Sequence, residues 1–425
     1  MDTYIRKEVA TRPDHASEFY GGFLVLRLLL ALVIFAIMAL WLGLGHRPAL
    51  IWHLVFLFGL GRIAYVDNNT STALLQAADR FNEVAWMNVA AKIVWGLGIG
   101  VGLYFGQATR WVACSFVVSE TLKSLYLLWV VHAKLHLSWT VQRQATWSVV
   151  RKSFPYFLNN IALQIYAYVN IILLEYWSNN KEVGWYGATM TLASFAGMFV
   201  PVMQAVVMPM AARLAKRSEA EMDELMRSTA RLVIVMVTPL ALVFMLHADT
   251  VAYLAFGSLY GPAAESLRII APMFPLTYLA TVLALHLIQQ GRNWTLTRIS
   301  LFNVALNPLL NTPLIIWGVA SGIPGRAGAM SALATTITEV LTVGINMWLL
   351  GKAAVNRQLW TTLGLTALIS GAVVLLHQLT PALGIWRMGL ESVAYLSLAA
   401  MLGTLPVGEL RRMWQQSRSA RQSDR

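Results

Sequence analysis

The chain is laid out as apolar blocks of about 20 residues, separated by short polar stretches and crossed by few charges. A block of that length, coiled as helix, crosses a hydrocarbon core of about 30 Å. Barrel strands alternate polar and apolar residues over only about 10 positions, so the pattern argues against a barrel. Twelve blocks centre on residues 22–44, 49–66, 84–105, 110–133, 154–177, 184–210, 231–247, 265–290, 297–317, 327–350, 359–379 and 385–405. Helix is compatible with the second block as far as Ala73–Ala78. The pattern therefore predicts an all-α polytopic membrane protein of about twelve transmembrane helices.

Composition agrees. The 425 residues are 57% hydrophobic and 12% charged, against about 25% charged in a soluble domain. So few polar groups cannot cover a water-facing surface. The polar first 21 residues lack the short apolar core and small-residue cleavage site of a signal peptide. The single cysteine, Cys114, excludes an intrachain disulfide framework and reads as a small buried apolar residue.

The net charge of +12 would raise nucleic-acid binding in a soluble chain. Its distribution gives another reason. With the N-terminus in the cytoplasm, 22 of the 32 Lys and Arg fall in cytoplasmic segments, 6 on the opposite side and 4 inside spans. That bias orients both termini toward the cytoplasm, and no nucleic-acid partner is expected. Trp41, Trp52, Trp111, Trp177, Trp185, Trp317, Trp360 and Trp386 stand near span ends as an interfacial belt.

The longest internal polar stretches are 134–153 and 213–228. Residues 140–152 mix apolar and basic positions as a helix lying on the membrane surface does. Ser218-Glu219-Ala220-Glu221 reads as a capping-box-like helix start. Val9-Ala10-Thr11-Arg12 and Met210-Ala211-Ala212-Arg213 each precede an acidic run into a span, a weak internal repeat. Transporters are often built from such repeats. Two spans precede the second copy and none the first.

In pieces from about Ile5 to Gly351 the sequence resembles the polysaccharide and O-antigen flippases of the multidrug/oligosaccharidyl-lipid/polysaccharide exporter superfamily. The pieces are Arg6-Lys7-Glu8-Val9-Ala10, Glu182-Val183-Gly184-Trp185-Tyr186-Gly187-Ala188, Thr238-Pro239-Leu240-Ala241, Phe256-Gly257-Ser258-Leu259-Tyr260, Leu267-Arg268-Ile269-Ile270, Gly291-Arg292 and Gly325-Arg326-Ala327-Gly328-Ala329. Their order and spacing carry the resemblance more than any one of them. It implies two pseudo-symmetric six-helix lobes around a central cavity. Laid on that plan, residues 1–133 are a first lobe without its first two helices and 134–153 a cytoplasmic amphipathic linker. Residues 154–350 are the second lobe, and 351–425 an extra helix pair with a basic cytoplasmic tail. Asn170 departs from the family, which often carries an acidic residue at that point.

A lipid diphosphate sugar needs a polar path for its anionic head, because a bare charge in hydrocarbon costs several kcal/mol. The basic residues inside spans are Arg27, Arg62, Lys92 and Lys123, all in the first four spans. They are candidate contacts for the head, with snorkelling to the interface as the alternative for Arg27 and Arg62. Glu120, at i, i+3 from Lys123, is either its structural partner or a polar cavity lining. Glu339 and Asn170 are further cavity candidates. Pro201, Pro239, Pro272 and Pro275, with Pro308 and Pro313, fall inside second-lobe spans and are candidate hinges or packing kinks.

The linear sequence holds no nucleotide loop, metal-ligand spacing or nucleophilic triad, so neither an enzyme nor a cofactor is expected. The reading is a flippase translocating a polyprenyl diphosphate-linked oligosaccharide by alternating access, among membrane lipids. A polysaccharide polymerase and chain-length proteins are its expected partners. A multidrug cation antiporter of the same superfamily is the alternative, although the deep first-lobe charges have the wrong sign for it. An inactive truncated member is another. An integral-membrane glycosyl transferase would call for large, charged outer loops, which are not present.

Overall fold

The structure is a computed structural model that describes residues 16–45, 48–77, 80–106, 108–135, 143–215 and 217–405. The Arg6 to Ala10 piece of the resemblance, linker residues 136–142 and the tail from 406 lie outside the described residues.

Among the described residues there is no strand. The helices are α1 (Ala16–Leu44), α2 (Ala49–Ala77), α3 (Phe81–Tyr104), α4 (Ala108–Leu135), α5 (Arg143–Trp177), α6 (Asn180–Gly197), α7 (Val200–Ala215) and α8 (Glu219–Leu246). They continue with α9 (Ala248–Phe256), α10 (Ala263–Ile270), α11 (Met273–Gln289), α12 (Asn293–Ala320), α13 (Arg326–Leu350), α14 (Arg357–Leu379) and α15 (Arg387–Met401). Nine stretches of described helix are long and apolar enough to cross a membrane, and α10 with α11, bent by 42°, makes a tenth. The protein is therefore a multi-pass membrane protein.

Each predicted block falls on helix, with differences at several of them besides the bent 265–290 block. α2 does run on to Ala77. The block at 154–177 is the end of one 35-residue helix that begins at Arg143, so the polar stretch before it is in part the same helix. The block at 184–210 is broken between α6 and α7, where the chain turns at Met198 and Phe199. The block at 385–405 is shorter than its hydropathy suggests. Pro381 and Gly384, the latter at φ 54°, hold residues 381–386 in a 3-10 turn, and α15 has 15 residues. That is about 22 Å of helix against a core of about 30 Å.

Contacts divide the chain into two compact units, residues 1–158 and 159–425. In the first, α4 packs on both α2 and α3. Phe116 is the shared ring, 5.8 Å from Phe58 and 6.0 Å from Trp95. Leu28, Leu32, Ile37 and Leu40 on α1 are exposed, which suits lipid as solvent. Cys114 is exposed too, which corrects the buried reading: an apolar neighbourhood on a membrane helix does not imply an interior position.

In the second unit, one core joins α7, α8, α11 and α13 through residues such as Met210, Met226, Leu283 and Val343. A second gathers Leu174, Tyr186, Leu267, Phe274 and Ile315. A third packs α14 and α15 on α8 through Val235, Leu242, Ile369 and Tyr395. Ser218 caps α8, its hydroxyl accepting from the Glu221 amide as the capping-box reading expects.

Two pieces of the resemblance meet here. Glu182, buried in the first turn of α6, accepts from the amides of Gly325 (2.6 Å) and Gly328 (3.1 Å) at the start of α13. A carboxylate at a helix N-terminus satisfies amides that have no partner within the helix. Gly325 sits at φ +84°, and a Cβ there would come 2.4 Å from the Pro262 carbonyl oxygen. Glycine is thus required twice over. The opposite end of α13 is held by arginines. Arg292 donates to the Leu349 carbonyl (2.9 Å) and Arg227 to those of Lys352 (3.3 Å) and Ala353 (2.9 Å).

Candidate functional site

In the first unit, α1 and α2 enclose a cavity of about 680 Å³ whose walls include Arg27, Arg62, Asp67, Phe35, Phe58 and Phe157. The lining is apolar apart from these charges and little else. Arg27 is half-buried and committed. It donates to the Val66 carbonyl at 3.0 Å and to the Thr70 hydroxyl, with the Asp67 carboxylate 3.8 Å away. Arg62 is exposed and lies over the Tyr65 ring, 5.0 Å from its centroid. A cation over a ring face keeps its charge available on the other side. The groove thus offers a basic end and a long apolar wall.

The other first-unit candidates lie apart from that groove. Lys92, exposed on α3, stands 4.8 Å over Trp95. Glu120 and Lys123 are both buried on α4. The Glu120 carboxylate takes its hydrogen bond from Asn68 Nδ2 at 2.9 Å, not from Lys123, and the same amide reaches the Glu120 carbonyl at 3.1 Å. Asn68 lies in an Asn-Asn-Thr-Ser run that the sequence weighs only as a glycosylation motif. Nothing in linear spacing links it to a residue 52 positions on.

The second unit holds a more polar cavity of about 380 Å³, walled by Tyr166, Gln204, Thr277, Asn303, Glu339 and Asn346 among others. Glu339 is the carboxylate of this cavity. Around it the Tyr166 hydroxyl, Thr277 Oγ1, Asn303 Oδ1 and Asn346 Oδ1 are buried without a protein hydrogen-bond partner among the described residues. Buried polar atoms are ordinarily paired, so four unpartnered oxygens around one cavity make it a candidate ligand site. They could bind hydroxyl groups or a cation. The sequence points to Glu339 alone, because single Asn, Thr and Tyr residues in apolar helices carry no spacing signal.

Asn170 is placed elsewhere, in a buried polar web. It donates to Thr335 Oγ1 (2.9 Å) and the Tyr186 hydroxyl (3.2 Å) and accepts from Asn311 Nδ2 (3.1 Å). Asn311 in turn binds Asn307 and Ser331. The prolines differ among themselves. Pro201 is in the first turn of α7 after the break, and Pro272 and Pro275 open α11 at the 42° bend. Pro239 lies within α8, and Pro308 and Pro313 within α12.

One cluster is invisible in the sequence. His247, His377 and Glu391 bring their donor atoms within 4.8 Å of one another. His377 and Glu391 lie 14 residues apart and His247 far upstream, and the three meet because the ends of α8 and α14 and the start of α15 coincide.

The family model described as "Polysaccharide biosynthesis protein" matches residues 2–265. No curated protein sequence matches significantly. Solved structures match in fold. One is the lipid II flippase MurJ in an inward closed conformation, with TM-score 0.70 and 14% identity over 93% of this chain and 87% of that one. Another is an inward-facing multidrug resistance MATE family transporter of the MOP superfamily, with TM-score 0.67 and 14% identity over 83% of this chain and 85% of that one. The Vibrio cholerae MATE transporter VcmN in its bent form gives TM-score 0.58 and 16% identity over 85% and 83%. With more than half of its residues under that family model, the chain belongs to the polysaccharide biosynthesis protein family, and it shares the fold of those MurJ and MATE structures.

Proposed function

We propose that the protein is a flippase that carries a polyprenyl diphosphate-linked oligosaccharide across the bacterial inner membrane by alternating access, both termini facing the cytoplasm. The observation that carries this reading is the α1–α2 groove, with Arg27 and Arg62 at an otherwise apolar wall. An amphiphile with an anionic head and a long apolar tail has that same division of chemistry. Outside the groove, Lys92 and Lys123 supply further positive charge in the first unit, and Arg27 with Asp67 orders the groove's polar end. The oxygen-rich cavity around Glu339 suits sugar hydroxyls. Export is assisted by an inside-negative potential worth about 2.3 kcal/mol per negative charge per 100 mV. A polymerase and chain-length proteins would receive the product.

The test is surface display of polysaccharide in a flippase-null bacterial strain supplied with the matching glycan genes and this chain. Restored display supports the reading. Absent display at equal membrane expression, with the chain instead raising resistance to cationic drugs, supports a multidrug antiporter. The Glu339 carboxylate among four uncommitted oxygens is the observation that favours that second reading.

A further inference from the structure

Three helices of the second unit bring side chains to one point. His247 closes α8, His377 lies in the last turn of α14, and Glu391 is in the second turn of α15. The Glu391 carboxylate is buried at 3% exposure. Its Oε2 lies 2.8 Å from His247 Nε2 and its Oε1 2.8 Å from His377 Nδ1. The two imidazoles stand edge to face, centroids 5.0 Å apart. Arg387 is the remaining neighbour, its Nε 3.5 Å from Oε1 and its Nη1 donating to the His377 carbonyl at 3.0 Å.

We infer that His247, His377 and Glu391 form a binding site for a divalent transition metal of the zinc class, which fastens the outer ends of α14 and α15 to the end of α8. Two imidazole nitrogens and a carboxylate are a zinc donor set, and three protein donors leave the fourth position open. Zinc takes these donors at about 2.0–2.2 Å in tetrahedral geometry, which separates them by about 3.3 Å. The two 2.8 Å contacts, which go to different carboxylate oxygens, therefore open by about half an ångström, while the remaining donor pair closes from within 4.8 Å, by small side-chain rotations. Each imidazole then turns a lone pair inward and carries its proton on the other ring nitrogen. Two imidazoles disfavour calcium and magnesium, which prefer oxygen donors.

The open position has somewhere to face. A cavity of about 530 Å³ adjoins the cluster, lined by His247, His377, Asp249, Thr250, Arg268 and Arg387. Water or an anion from that cavity completes the coordination. Arg387 opposes the metal, since its guanidinium shares the carboxylate that the metal would use. The carbonyl of His377 and the cavity give it an alternative position. This opposition makes the inference separable from a purely hydrogen-bonded knot. Removal of Arg387 should weaken a knot and tighten a metal site.

The test uses the full chain, purified in detergent without a histidine tag and stripped with chelator. Zinc alone is the probe, read as metal bound per chain and as melting temperature, with cobalt(II) absorption reporting geometry. The expected result is one zinc per chain, a raised melting temperature and a tetrahedral cobalt spectrum. The His247→Gln/His377→Gln double variant and Glu391→Gln lose all three, whereas Arg387→Gln binds zinc more tightly. If those variants fail to fold, the wild-type cobalt spectrum and the Arg387→Gln affinity still decide. A wild-type chain with no tetrahedral cobalt band overturns the inference. So does a melting temperature unmoved by about 100 µM zinc, where a micromolar site would shift it measurably.

Discussion

Glu182→Gln isolates the contact that seats α13 in the second unit. The carboxylate accepts two backbone amides, Gly325 and Gly328, from a site 6% exposed. A hydrogen bond to a charged group contributes about 1.5–3 kcal/mol. Glutamine keeps one acceptor oxygen and turns an NH₂ group toward the other amide, so one buried N–H is left unpaired. The negative charge at the helix N-terminus, about 0.3–1 kcal/mol, is lost as well. The expected destabilisation is about 2–4 kcal/mol, or a fall in Tm of about 5–10 °C on the scaling for folded domains of this size. The assay is thermal unfolding in detergent, with Glu175→Gln as control. Glu175 is exposed, and a surface change of this kind costs within about 0.5 kcal/mol. If Glu182→Gln melts together with the control, the carboxylate does not hold the loop, and the account of both sequence motifs is wrong.

Gly325→Ala should destabilise more than Gly322→Ala in the same assay. Both positions have positive φ, but only at Gly325 does the new Cβ also strike the Pro262 carbonyl. Asn170→Leu should lower Tm by an amount worth about 2–4 kcal/mol, because Asn311, Tyr186 and Thr335 all lose a buried partner. Arg62→Gln and Lys92→Gln should leave melting unchanged, both side chains being exposed, while lowering glycan export severalfold in the complemented strain. Full export at equal expression would remove these residues from the path.

The helical architecture was legible because lipid imposes a long, simple pattern, a run of apolar residues that any window detects. Where runs were interrupted the sequence was less informative. The 184–210 block reads as continuous although Gly197 and Pro201 flank a break, and 385–405 reads as a span although Pro381 and Gly384 spend its first turn on a tight corner. The candidate residues divide along similar lines. Charges are rare in such helices, so Arg27, Arg62 and Glu339 stand out at once, and the structure puts the first two on one cavity wall. Their neutral neighbours do not stand out. Asn68, Tyr166, Asn303 and Asn346 are common polar residues whose meaning comes only from what faces them. The same holds for His247, His377 and Glu391, which no linear spacing connects.

The arginines of α8 and of the start of α12 carry one more consequence. Arg227 and Arg292 count toward the Lys and Arg bias of the sequence, and their guanidinium groups are tied to the carbonyls of Leu349, Lys352 and Ala353. Arg231 bridges Glu224 and Gln358 in the same region. On the orientation proposed above, the same side chains serve twice, as positive charges retained on one side and as fixed donors that close a helix end. Lysine would serve the first role and not the second, having a point charge in place of a planar fork. An arginine-to-lysine scan of these three positions would leave topology intact and loosen the finished protein, which separates two demands that sequence conservation alone would merge.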